Sequence, residues 1–80
     1  MKKFNLNCEV LSIERQRSSY EGNPCFKFEL MTKDYVFFAK TATNASCAYM
    51  VTLSMEHKIY NFVGHYTKNG NAIIDFINKI

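Results

Sequence analysis

Apolar and polar residues alternate with a period of two along most of this chain, the pattern of strands that bury one face. Phe4, Leu6, Cys8 and Val10 alternate with Asn5, Asn7 and Glu9. The phase slips at Val10-Leu11 and resumes with Leu11 and Ile13, which predicts a bulge in one long curving strand. Residues 15–23 are polar, with Ser18, Ser19, Gly22 and Asn23 as loop formers. Pro24 then opens a second strand, a position where no ladder donor is needed. That strand sets Phe26, Phe28 and Leu30 on one face and Cys25, Lys27 and Glu29 on the other. Thr32-Lys33-Asp34 is short enough for a tight hairpin into a third strand over 35–40, apolar on both faces near its middle. Small residues over 41–50, with Thr or Asn as a possible N-cap and Ala45 four residues before Tyr49, predict a short helix over 42–50. A fourth strand over 58–67 is broken by Gly64, where a tightly coiled barrel must bend. Asn69-Gly70 is a strong hairpin signal into a fifth strand over 72–77.

Three strands, a helix and two strands is the element order of an oligonucleotide-binding (OB) barrel. The expectation is one all-β domain over 1–80: a five-stranded antiparallel barrel with one short helix between strands 3 and 4. The chain has 80 residues, 48% of them hydrophobic and 15% aromatic. A domain this small buries only about 60% of its unfolded surface. Surplus apolar residues are therefore expected to be covered by a second copy or another partner, with a homodimer or higher oligomer as the simplest case. The net charge of +3 permits a nucleic-acid or acidic partner without demanding one.

Met1-Lys2-Lys3 leads into alternation rather than an apolar h-region, and no run approaches the roughly 18 apolar residues of a membrane span, so neither a signal peptide nor a membrane partner is expected. Cys8, Cys25 and Cys47 are odd in number and far apart, which points to a reducing cytoplasm. Asn44-Ala45-Ser46 matches a glycosylation sequon, which carries no weight without secretion.

Catalytic and metal chemistry find little footing. His57 and His65 stand eight apart with no cysteine or carboxylate at ligand spacing, against zinc. Cys47 has no adjacent histidine and reads as a buried cysteine. Asp75 stands alone among Ile73, Ile74, Phe76 and Ile77, as an outward strand carboxylate would. Gly22, Gly64 and Gly70 are scattered turn or bend glycines, not a phosphate-cradling loop. A binding protein without metal or cofactor is expected, not an enzyme.

Across nearly its whole length the sequence resembles bacterial single-stranded DNA-binding proteins and their short relatives, the primosomal replication proteins of the PriB type. The resemblance rests on three collinear motifs. Gly22-Asn23-Pro24-Cys25-Phe26-Lys27-Phe28-Glu29-Leu30 is similar to the family's Gly-x-Pro turn and Phe-x-Phe/Leu strand. Phe38-Ala39-Lys40 before a small-residue segment is similar to the end of its third strand, and Phe62-Val63-Gly64-His65-Tyr66-Thr67-Lys68 to its fourth. The chain departs from the family in a tight turn where a long DNA-wrapping finger often stands, and in ending at Ile77-Asn78-Lys79-Ile80 rather than in an acidic tail. The resemblance thus implies single-strand binding in replication or recombination, without long-range wrapping or tail-mediated recruitment. Such a short form would suit a phage, plasmid or other mobile element.

Non-specific single-strand binding needs π-faces for bases and cations for phosphates on one surface. With Tyr35, Phe37 and Ala39 inward, Val36, Phe38 and Lys40 share the outer face. The resemblance puts Phe38 at a base-stacking position with Lys40 beside it, while core or dimer-interface roles stay open for Phe38. Phe26, Phe28, Phe62 and Phe76 read as core. Arg15 and Arg17 read, with Lys40 and Lys27, as cations lining a phosphate track, and Tyr20 in the loop after them as a second platform or an idle loop tyrosine. Lys27 reads as a phosphate contact or a solvated lysine, and the resemblance places basic contacts near His65 and Lys68. Two rival functions remain: a protein-interaction module or inhibitor docking a larger replication or defence enzyme, and an RNA-binding barrel, which differs in contacting the 2′-hydroxyl.

Overall fold

The computed structural model describes residues 2–17, 24–43 and 46–80. Its strands are β1 (Lys3–Gln16), β2 (Cys25–Met31), β3 (Val36–Thr41), β4 (Ile59–Tyr66) and β5 (Ala72–Asn78). They close into a barrel in the order β1-β2-β3-β5-β4, the OB order. The expectation of a wholly antiparallel barrel needs one correction: β3 and β5 run parallel, with Ala39 beside Ala72 and Thr41 beside Ile74. The crossover after β3 returns the chain as β4 beside β1. A β5 that is antiparallel to β4 must then run the same way as β3.

That crossover holds no α-helix among the described residues. The expected helix over 42–50 is replaced by two 3-10 turns, Ser46–Met50 and Leu53–Met55. Ser46 and Cys47 hold a continuous α-helix poorly, and short 3-10 pieces are the usual substitute. Cys47, Ala48 and Met55 are nonetheless buried, so the turns plug the barrel. His57, at φ 68°, swings the chain back to let its amide donate to the Val10 carbonyl at 2.7 Å.

The core follows the alternation. Phe28, Phe62, Leu30, Ile74, Val10 and Cys8 are fully buried, and the Phe28 and Phe62 rings meet edge-on at 5.7 Å. Each large apolar side chain so buried contributes roughly 1.5–3 kcal/mol. Phe26 is half-buried against this core. The β1 bulge is present: Val10 pairs with Leu30, Ser12 with Glu29, and Leu11 is the extra residue. Gly64 sits at a second irregularity, where an added Cβ would strike the Ile73 carbonyl and approach Phe4 Cζ to 2.6 Å.

That second bulge overturns the reading of Phe76 as core. Gly64 pairs with Ile74 and Val63 with Phe76, leaving Asp75 unpaired in β5. The extra residue reverses the alternation, so Phe76 is 59% exposed and Ile77 turns inward in its place. At the end of the same two strands, Thr67–Gly70 closes as a turn with the Gly70 amide on the Thr67 carbonyl at 2.9 Å and Gly70 at φ 83°. Lys68 and Asn69 are therefore the central residues, and glycine supplies the left-handed position that follows.

Candidate nucleic-acid interface

The outer face of β2 and β3 is set by pairing register. Lys27 lies opposite Lys40, Glu29 opposite Phe38, and Met31 opposite Val36. Strand alternation puts all six on the solvent side, because Phe28, Leu30 and Ala39 between them are buried. Phe38 is 57% exposed, so its ring is not core. The Lys27 ammonium sits 4.8 Å from that ring's centroid, a cation–π contact. Directly opposed lysines repel each other, and an anion between them would relieve that repulsion. The only salt bridge among the described residues joins His65 to Asp75, so neither lysine has such a partner there. A shallow groove of about 390 Å³ runs beside this face, from Lys27, Phe38 and Lys40 to Asn71 of the β4–β5 hairpin and Ile73. Exposed ring, paired cations and groove together can take a base and its phosphate.

The other expected site residues do not all join them. Arg15 pairs with Phe26, on the inward phase of β1, and its guanidinium lies 5.5 Å from the Phe26 ring at the barrel rim. Arg17 is exposed and lines a neighbouring cavity of about 590 Å³ that also touches Lys40, His65 and Asp75. Lys40 thus borders both depressions, linking Arg17 to the Phe38 face. Lys68 is exposed in the β4–β5 hairpin, on the side away from Phe38's groove. Tyr20 and the Glu21-Gly22-Asn23 part of the turn motif lie outside the described residues.

His65 is engaged: its Nδ1 lies 2.8 Å from Asp75 Oδ2. The sequence reading missed this pair. The signal was there, since both residues stand five positions from Gly70, on the two arms of the hairpin. It also missed an asparagine cluster on the outer face of β1, β4 and β5. Asn61 Nδ2 donates to Asn5 Oδ1 at 2.7 Å and Asn7 Oδ1 at 3.0 Å, and Asn78 Nδ2 donates to Asn61 Oδ1 at 3.1 Å. Tyr35, expected inward, is 49% exposed at the barrel rim, its ring 5.6 Å from Phe37. Burial raises the Cys47 thiol's pKa, with the Asp75 carboxylate adding to it, so Cys47 is poorly suited to act as a thiolate.

No protein-family model matches the chain, and no curated protein matches it.

Proposed function

We propose that this chain is a non-sequence-specific single-stranded DNA-binding OB protein, similar in kind to the bacterial single-strand-binding and PriB-type proteins, and an accessory to replication or recombination. The observation that carries this reading is the Phe38 ring, exposed on the strand face and flanked by Lys27 and Lys40. Aromatic platforms interleaved with cations are what single-strand binding requires, and in OB barrels the β2–β3 face and the β4–β5 hairpin carry it. Bases stack on Phe38, Lys27 and Lys40 hold the adjoining phosphates, and Arg17 extends the track past Lys40. We read this as binding, not catalysis.

A second reading has its own support. Ile59 on β4, Phe76 on β5 and Ile80 just beyond it are exposed large apolar residues, none of them on β2 or β3, and such residues suit a second copy or a replication enzyme. We propose that the protein works as a homodimer through such apolar surface, which leaves the β2–β3 face open.

Titration of labelled dT, rU and duplex oligonucleotides of about thirty nucleotides at two salt concentrations tests the reading. The expected result is binding to the single strands, weakened by salt, with the duplex weaker. If wild-type protein fails to bind dT at low salt, the DNA reading is wrong and the protein-interaction reading takes its place. Preference for rU over dT would favour the RNA barrel.

A further inference from the structure

A cavity of about 1030 Å³ opens where β1 begins and β4 ends. Its wall is aromatic. Phe4 is buried between Phe37, at 6.2 Å edge-on, and Tyr66, at 5.2 Å. Tyr35 stands above them, half-exposed. Lys2, Lys3 and Lys68 also line the cavity, and among the described residues no carboxylate does.

Tyr35 is held in place before any ligand arrives. The Thr32 amide donates to the Tyr35 carbonyl at 2.8 Å, while Thr32 Oγ1 accepts from the Tyr35 amide at 3.1 Å and the Asp34 amide at 3.1 Å. A hydrogen-bonded turn thus fixes the backbone that carries the ring, which lowers part of the entropic cost of stacking on it. Burial, with the neighbouring Tyr35 and Cys8 adding to it, keeps the Tyr66 hydroxyl protonated beyond the ordinary tyrosine range. The hydroxyl is therefore a stable donor.

An exposed aromatic face in a cavity that three lysines line suits a planar ring with an anionic group attached. We propose that this mouth is a separate site for one nucleotide unit, its base stacked on Tyr35 and its phosphate held by Lys3 and Lys68. The unit is either a free nucleoside monophosphate or the phosphorylated end of a strand. The site does not depend on the Phe38 reading, because the 67–71 hairpin stands between them: Asn71 borders Phe38's groove, whereas Lys68 and Gly70 line the mouth.

The test is amide chemical-shift mapping of the ¹⁵N-labelled protein with dTMP, thymidine, inorganic phosphate, and tetra-dT with and without a 5′-phosphate. The expected result is saturable movement of the Tyr35, Lys68 and Gly70 amides with dTMP, roughly fivefold tighter than with thymidine or phosphate alone. Tyr35→Ala and Lys68→Ala, both at exposed positions, each weaken dTMP by roughly fivefold while the rest of the spectrum stays folded. Phosphorylated tetra-dT moving the same amides identifies a strand end as the source; dTMP alone moving them identifies the free nucleotide. No saturable shift at those amides, or phosphate alone matching dTMP, overturns the proposal. If dT strands bind through Phe38 while dTMP leaves the mouth unmoved, this site falls and the β2–β3 reading stands. If dTMP saturates the mouth while dT strands leave the Phe38 face unmoved, the β2–β3 reading falls and this site stands.

Discussion

The two outer faces of this barrel handle their polar side chains in opposite ways. On β1, β4 and β5, Asn5, Asn7, Asn61 and Asn78 bond to one another, and His65 bonds to Asp75. On β2 and β3, Lys27 faces Lys40 and the nearest engagement of Lys27 is the ring of Phe38. The first face satisfies its polar side chains among themselves, although Phe76 stands exposed there too, with no lysine over its ring among the described residues. The second keeps like charges opposed and an aromatic ring in water, arrangements that give stability little and give an anionic, stackable ligand a great deal. Net charge could not reveal this difference, since it lies in which cations have partners.

If the β1–β4–β5 side carries the fold, its tightest point should be the least tolerant. Gly64→Val, with its Cβ driven into the Ile73 carbonyl and the Phe4 ring, is expected to cost about 4 kcal/mol or more, or to abolish folding. Chemical denaturation measures it, and a near-neutral result would break the account of β4. Next in size, Asn61→Ala removes three hydrogen bonds and is expected to lose about 1 kcal/mol of stability while leaving dT binding unchanged. Loss of binding without loss of stability would erase the distinction between the faces.

Much of this contrast was legible in the sequence. Two-residue alternation located all five strands, the Val10-Leu11 phase slip located the β1 bulge, and Phe38 was correctly set beside Lys40 and Lys27 on the outer face. Phe76 was not legible, because the Asp75 bulge reverses the inward phase only once β4 is in register against β5. The asparagine cluster was hidden for a similar reason: Asn5 and Asn61 lie 56 positions apart and meet only through barrel closure. Arg15 reads in the sequence as one cation of the track, but pairing with Phe26 puts it on the other side of the sheet.

Smaller effects sharpen the comparison further. Lys27→Gln and Lys40→Gln should each make the salt dependence of dT binding shallower, by roughly 0.7 for every phosphate the lysine had neutralised. Stability should be unchanged or slightly higher, because a repulsive pair is broken. Neither change is expected from Lys79→Gln, at an exposed position beyond β5. The core beneath both faces has its own signature in pH. Burial pushes the Cys8 thiol from 9.0 up to about 11 and raises Tyr66 as well, so the folded state resists deprotonation that the unfolded chain accepts. Stability is therefore full below pH 9 and falls as pH rises toward 11. Thermal unfolding followed across that window should show a steady drop in Tm; a flat profile would contradict the burial of Cys8.

The central claim concerns Phe38, and the most direct measurement compares Phe38→Ala with wild type in dT binding and in chemical denaturation. A ring exposed to solvent should cost little to remove, so stability should stay within about 0.5 kcal/mol of wild type. Binding should weaken by roughly 1–3 kcal/mol, with the salt slope unchanged because stacking releases no counterions. Unaltered dT binding by a well-folded Phe38→Ala protein would contradict the claim that this face binds single strands.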